Sequence, residues 1–126
     1  MIEAAGLFVY GKMLRDGGGT AALLKDRARL IATTQGALYD LPAGYPALDP
    51  TGSDTVHGEL VLEVPEPVLR VLDVYEGVSE GLFRRVSLRV QAGRQDVTAW
   101  CYVMSAPAAR GGRRLQSGRW RPIRQR

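Results

Sequence analysis

A chain of 126 residues is long enough to close one real core, and one compact domain is expected. With 45% hydrophobic and 24% charged residues it lies far from the composition of disordered chains. No apolar run approaches the roughly 18 residues that cross a membrane, and the opening MIEAAG has no basic region of a secretory signal, so the expected compartment is the cytoplasm. A single cysteine, Cys101, forms no internal disulfide, and a lone His57 without a second His or Cys nearby argues against zinc; no metal and no cofactor are predicted. The net charge of +4 is concentrated at one end: RGGRRLQSGRWRPIRQR, 110–126, holds seven of the seventeen basic residues and no acid, leaving ten basic against thirteen acidic groups elsewhere, a net of −3. Such a block can bind polyanions, but no stripe of aromatics accompanies it. A solvated, partly frayed terminus is the expectation, and nucleic acid is not an expected partner.

In chain order, GLFVY (6–10) reads as a buried strand ended by Gly11. RDGGGT (15–20) is a loop with Thr20 as N-cap, and AALLKDRA after it suits a short helix. RLIATTQGALYDL (29–41) returns to strand character, with room for two strands and with Gly36 as a bulge or a point of close backbone approach. PAGYPALDPTGSD (42–54) concentrates Pro, Gly, Asp and Ser and reads as a long irregular connection. TVHGELVLEV (55–64) alternates as a strand, with Val56, Leu60, Leu62 and Val64 on one face, Glu59, Val61 and Glu63 on the other, and Gly58 interrupting it. After Pro65 and Pro67, VLRVLDVYEG sets Leu69, Leu72 and Tyr75 or Glu76 at helical spacing with Gly77 as the stop. FRRVSLRVQ (83–91) and DVTAWCYVM (96–104), joined by AGRQ, form an antiparallel pair. Five to seven strands and two short flanking helices, dispersed along the chain, give an α+β domain built on a small, mixed, barrel-like sheet.

Few residues here carry chemistry on their own. Glu76 ends the second helix, where a carboxylate faces the negative end of the helix dipole, a location that costs free energy. It is either exposed and tolerated or held for proton transfer. Glu59 and Asp73 read as structural or solvated acids, and Cys101, in an apolar strand with no local base, as a buried inert thiol. No GxSxG motif occurs, and GGG at 17–19 lacks the Lys-Ser/Thr of a phosphate loop.

Several segments nevertheless line up in one order: FVYGKML, ALYDLPAGYPAL, VHGELVLEV, LDVYEG followed by GLFRRVSLRV, AWCYVM and LQSGRW. In order and spacing over residues 6–120 they resemble the γ-glutamylcyclotransferase-like, or AIG2-like, family. The resemblance implies one domain over residues 1–120 with a basic tail at 121–126, and a small barrel with a cavity at one end. It implies cyclisation of a small-molecule γ-glutamyl amine or amino acid to 5-oxoproline with release of the amine. Glu76, in YEG, corresponds to the family's catalytic glutamate. Substrate binding is expected at Tyr10, Gly11, Lys12, Met13 and Leu14, whose backbone amides suit a carboxylate or oxyanion, with Tyr45 in the cavity wall. Arg84 and Arg85 fall on opposite faces of a regular strand; one orders the Glu76 loop or meets a substrate carboxylate, the other faces solvent, and Arg84 is counted among the substrate-binding candidates. Two positions depart from the family: Lys12 replaces a small hydroxyl residue, and Phe83 stands where tyrosine is common. The alternative is a non-catalytic binding module whose arginine tail contacts a polyanion. Oligomeric state is left open.

Overall fold

A computed structural model describes residues 6–11, 23, 24 and 26–120. Six strands and two helices follow in the order β1 (Gly6–Val9), β2 (Arg29–Asp40), β3 (Pro46–Leu62), α1 (Glu66–Tyr75), β4 (Arg84–Ala92), β5 (Gln95–Val103), α2 (Ala106–Ala109) and β6 (Arg113–Arg114). The strand order β3-β1-β5-β4-β2, closed by a β2–β3 pairing, makes a five-stranded barrel with β6 added to the end of β2. The sheet is mixed, because β1 and β5 run parallel and the other pairs are antiparallel. This is the α+β barrel expected from the sequence. Among the described residues no helix is long and apolar enough to cross a membrane.

Closure gives the wall two apolar faces. Phe8, Leu38, Leu48, Val56, Leu60, Val90, Cys101 and Val103 fill the interior. Leu7, Val9, Val61, Tyr102 and Met104 point outward into a second cluster, covered by Leu69 and Leu72 of α1. Alternating residues of β1 therefore go to different cores, and all four are buried. α1 starts at two prolines, with Glu66 in its first turn where the dipole favours an acid. Burying Leu69 and Leu72 contributes about 1.5–3 kcal/mol each.

Three expectations need correction. Residues 42–54 are not a long irregular connection. The link between β2 and β3 is confined to Leu41–Tyr45, with Gly44 at φ 93°, and β3 begins at Pro46. Leu48 faces Leu38 and Ala47 faces Tyr39 across a hairpin, so burial of Ala47 and Leu48 outweighs the local turn signals. Those signals are absorbed further on, where the register jumps from Gly36↔Asp54 to Ala37↔Asp49 and β3 carries the extra residues. Asp49 secures the bulge by accepting bonds from the Thr51 amide at 2.9 Å and the Thr51 hydroxyl at 2.6 Å. Gly36 is thus at the bulge, as its position suggested, and β2 is one continuous strand.

Gly58 does not interrupt β3. A Cβ there would collide with the Val9 carbonyl and the Phe8 ring, so glycine permits β1 to lie close against β3. Nor is the arginine-rich segment a frayed end as far as Trp120. β6 pairs with β2, the Leu115 amide donates to Leu38 O at 2.7 Å, and the His57 amide donates to Gly118 O at 2.8 Å. Trp120 is buried in the interior cluster. Residues 121–126, the 15–20 loop and three residues of the helix expected at 21–28 (Ala21, Ala22 and Lys25) lie outside the described residues; of the other five, Leu23 and Leu24 form a 3₁₀ turn, Asp26 turns at φ 68° and Arg27 and Ala28 are not helical.

Candidate active site

One end of the barrel opens into a cavity of about 280 Å³. Four segments surround it: Phe8–Gly11 leaving β1, Tyr45–Pro46 entering β3, Tyr75–Glu76 ending α1, and Leu82–Phe83 leading into β4, with Tyr102 of β5 between them. At Gly11 the space a side chain would need is occupied by the Pro46 ring, so the β1 exit and the β3 entry are in direct contact.

Glu76 owes its position to the end of α1. The amides of Gly77 and Val78 bond back to Val74 O at 3.1 Å and Asp73 O at 3.0 Å, with Gly77 at φ 64°. This is a Schellman cap with Glu76 as its C-cap residue. The Leu82 amide then bonds to Gly77 O at 3.0 Å, which folds the next loop back so that Leu82 and Phe83 form the opposite wall. Glu76 is half-buried. Its charge is felt inside the barrel: burial first, with the neighbouring Cys101 and, more weakly, the Glu76 carboxylate, pushes the Tyr10 hydroxyl well above its usual pKa. Burial and the Glu76 carboxylate likewise push the Cys101 thiol up. Tyr102 is raised by burial, by its bond to Asp73 and, more weakly, by Glu76.

Tyr10 turns its ring to the cavity but its hydroxyl to the wall, donating to Tyr102 O at 2.6 Å and accepting from the Leu48 amide at 3.3 Å. Tyr45 lies in the lining with its ring 5.9 Å from that of Phe83. The structure thus brings Glu76, Tyr10, Gly11 and Tyr45 together. Arg84 is exposed and stands outside the lining. Arg85 is the arginine that reaches α1, donating to Asp73 Oδ1 at 2.8 Å and Glu66 Oε1 at 3.0 Å while stacking over the Trp100 ring at 4.7 Å. Lys12, Met13 and Leu14 lie outside the described residues.

Sequence reasoning passed over Phe8, Val9, Pro46, Tyr75, Leu82 and Tyr102 as lining residues. Adjacency offered a signal for most of them, since each except Phe8 and Tyr102 is a direct chain neighbour of Tyr10, Tyr45, Glu76 or Phe83. Tyr102 had none; only the parallel β1–β5 pairing brings it beside Tyr10. Of the competing acids, Glu59 pairs with Arg29 at 2.8 Å and Asp73 accepts from both Arg85 and Tyr102, so both hold the fold together.

The chain is similar in fold to several solved structures. YkqA from Bacillus subtilis superposes with a TM-score of 0.71 at 24% identity, over 94% of this chain and 40% of that one. An AIG2-like protein from Mus musculus gives 0.69 at 23% identity, over 98% and 99%. A γ-glutamyl cyclotransferase gives 0.61 at 18%, over 82% and 68%. No curated protein matches the chain. The family model described as gamma-glutamyl cyclotransferase, AIG2-like, matches residues 7–122. With nearly its whole length matched, the chain belongs to the γ-glutamyl cyclotransferase, AIG2-like family.

Proposed function

We propose that the protein cyclises a γ-glutamyl amide to 5-oxoproline and releases the amine, with Glu76 as the single acid/base. The carrying observation is the situation of Glu76, half-buried at the cavity and electrostatically coupled to the buried groups of Tyr10, Cys101 and Tyr102. The reacting groups belong to one molecule, so binding has only to fold the glutamyl chain until its α-nitrogen reaches the γ-carbonyl carbon. Glu76 removes a proton from the α-ammonium. The nitrogen lone pair forms the new C–N bond, and the carbonyl π electrons move to oxygen. Glu76 returns that proton to the amide nitrogen and takes the second proton of the ring nitrogen; collapse of the oxyanion then re-forms C=O and expels the amine, to which Glu76 passes its remaining proton, so that it leaves as the ammonium and Glu76 is again a carboxylate. Backbone amides around Gly11 are suited to stabilise the oxyanion.

A panel of γ-glutamyl amides and amino acids tests the reading by appearance of 5-oxoproline. Glu76→Gln keeps the shape and removes the proton carrier, and is expected to lower kcat/KM by about 10²–10⁴-fold with an unchanged circular dichroism spectrum. Full activity in that variant would remove Glu76 from the chemistry.

A further inference from the structure

Nine aromatic residues occur in the chain, and six of them line this one cavity. Phe8, Tyr10 and Tyr102 are buried parts of the cores, and the two hydroxyls bond to protein groups. The outer part differs. Tyr75 is 66% and Leu82 47% exposed, flanking the glutamate on the α1 side and in the following loop, so folding leaves much of their apolar surface in water. Val71 and Val74, also exposed, extend the apolar surface along α1. The cavity, about 280 Å³ and open to one side, is lined beside Glu76 by Tyr75, Leu82, Tyr45 and Phe83. A glutamyl group whose nitrogens reach Glu76 would therefore set the substituent of its amide against these side chains. Among the described lining residues Glu76 alone carries charge, and the reaction already engages it with the α-ammonium and then with the departing nitrogen.

We propose that the leaving amine carries an aromatic or branched-aliphatic substituent with no charged group of its own, covered by Tyr75, Leu82 and the Tyr45–Phe83 ring pair; the proposal rests on the reaction read for this site. A hydrocarbon there removes exposed apolar surface from water on both partners. An anionic amine would meet no opposite charge among the described lining residues, and a cationic one only Glu76, which the reaction already engages. A cation seated on the rings is the competing chemistry that the test must separate.

The test fixes the glutamyl group and varies the amide: methyl, 3-methylbutyl, 2-phenylethyl, 2-aminoethyl and carboxymethyl. Release of 5-oxoproline gives kcat/KM, and calorimetry gives Kd, on Glu76→Gln where the wild type turns over and on the wild type where it does not. Phenylethyl and methylbutyl amides are expected to exceed the methyl amide at least tenfold and both charged amides by more. Tyr75→Ala and Leu82→Ala should each reduce the phenylethyl-to-methyl ratio at least threefold. Equal values for methyl and phenylethyl, or a preference for either charged amide, overturns the proposal. Preferred binding of the phenylethyl amide without 5-oxoproline overturns the reaction and leaves the specificity standing, whereas no binding of any amide overturns both.

Discussion

The Tyr10 hydroxyl donates to the Tyr102 carbonyl and accepts from the Leu48 amide, and so ties β1 to β5 and β3 from inside the wall. Tyr10→Phe keeps the ring and leaves a buried carbonyl without this donor, at a cost of about 1–3 kcal/mol. A urea denaturation midpoint displaced by that amount is the expected result; an unmoved midpoint would mean water replaces the hydroxyl. Gly58 illustrates how far a single residue can be read from sequence. A glycine inside a strand pattern signals either a break or a close approach, and nothing local separates the two. Here it is approach, because β1 crosses where a side chain would stand. Gly58→Ala is accordingly expected to cost about 1–3 kcal/mol through displaced backbone, visible in the same denaturation experiment.

The element that carries Glu76 is strapped to the barrel one turn before its end. Asp73 accepts from Tyr102 at 2.6 Å and from Arg85 at 2.8 Å and 3.2 Å. Burial alone would raise the Asp73 pKa, but these bonds and the Arg85 charge hold it below the usual carboxylate value. A folded value below the unfolded one contributes stability above the unfolded pKa, about 3.9, and loses it as pH falls through the folded value. Asp73→Asn should therefore lower Tm at pH 7, by the equivalent of about 2 kcal/mol for weakened charge-assisted bonds. The gap to the wild type should close as the pH falls below about 4; a gap independent of pH would show that packing at Asp73, and not its charge, is what the substitution removes. At this scale the sequence was legible where local pattern and tertiary environment agree. The helix after the paired prolines, its glycine stop and the β4–β5 hairpin with Gly93 at φ 62° all carry local signatures. It misled at 42–54, where Pro, Gly, Asp and Ser were accommodated in a bulged strand whose burial comes from a partner in β2. Whether Arg84 or Arg85 reaches α1 was equally undecidable, since alternation assigns them opposite faces without saying which face the helix covers.

For the whole molecule, closing five strands into a ring satisfies two edges at once but leaves an interior that must be filled at both ends. One end is the cavity. The 110–120 stretch, despite its charge, runs along the barrel as β6 and delivers Leu115 and Trp120 to the interior cluster. Its arginines are also partly answered by the acidic body, Arg114 at 2.6 Å from Asp54 and Arg113 at 3.8 Å from Asp40. Composition could show that the charge is segregated; it could not show that two apolar residues inside the basic run belong to the core. Because exposed ion pairs contribute little and a buried indole contributes much, the two features predict different outcomes. Trp120→Ala should cost about 3–5 kcal/mol, a large part of the roughly 5–15 kcal/mol by which a domain is stable. A chain stopped at Ala109, lacking β6 as well, should show no cooperative urea transition. Replacing Arg113 and Arg114 together by serine should move the midpoint far less than Trp120→Ala does. If instead the double arginine variant unfolds and Trp120→Ala stays cooperative with its midpoint kept, the segment is held by charge and the indole does not seal the barrel.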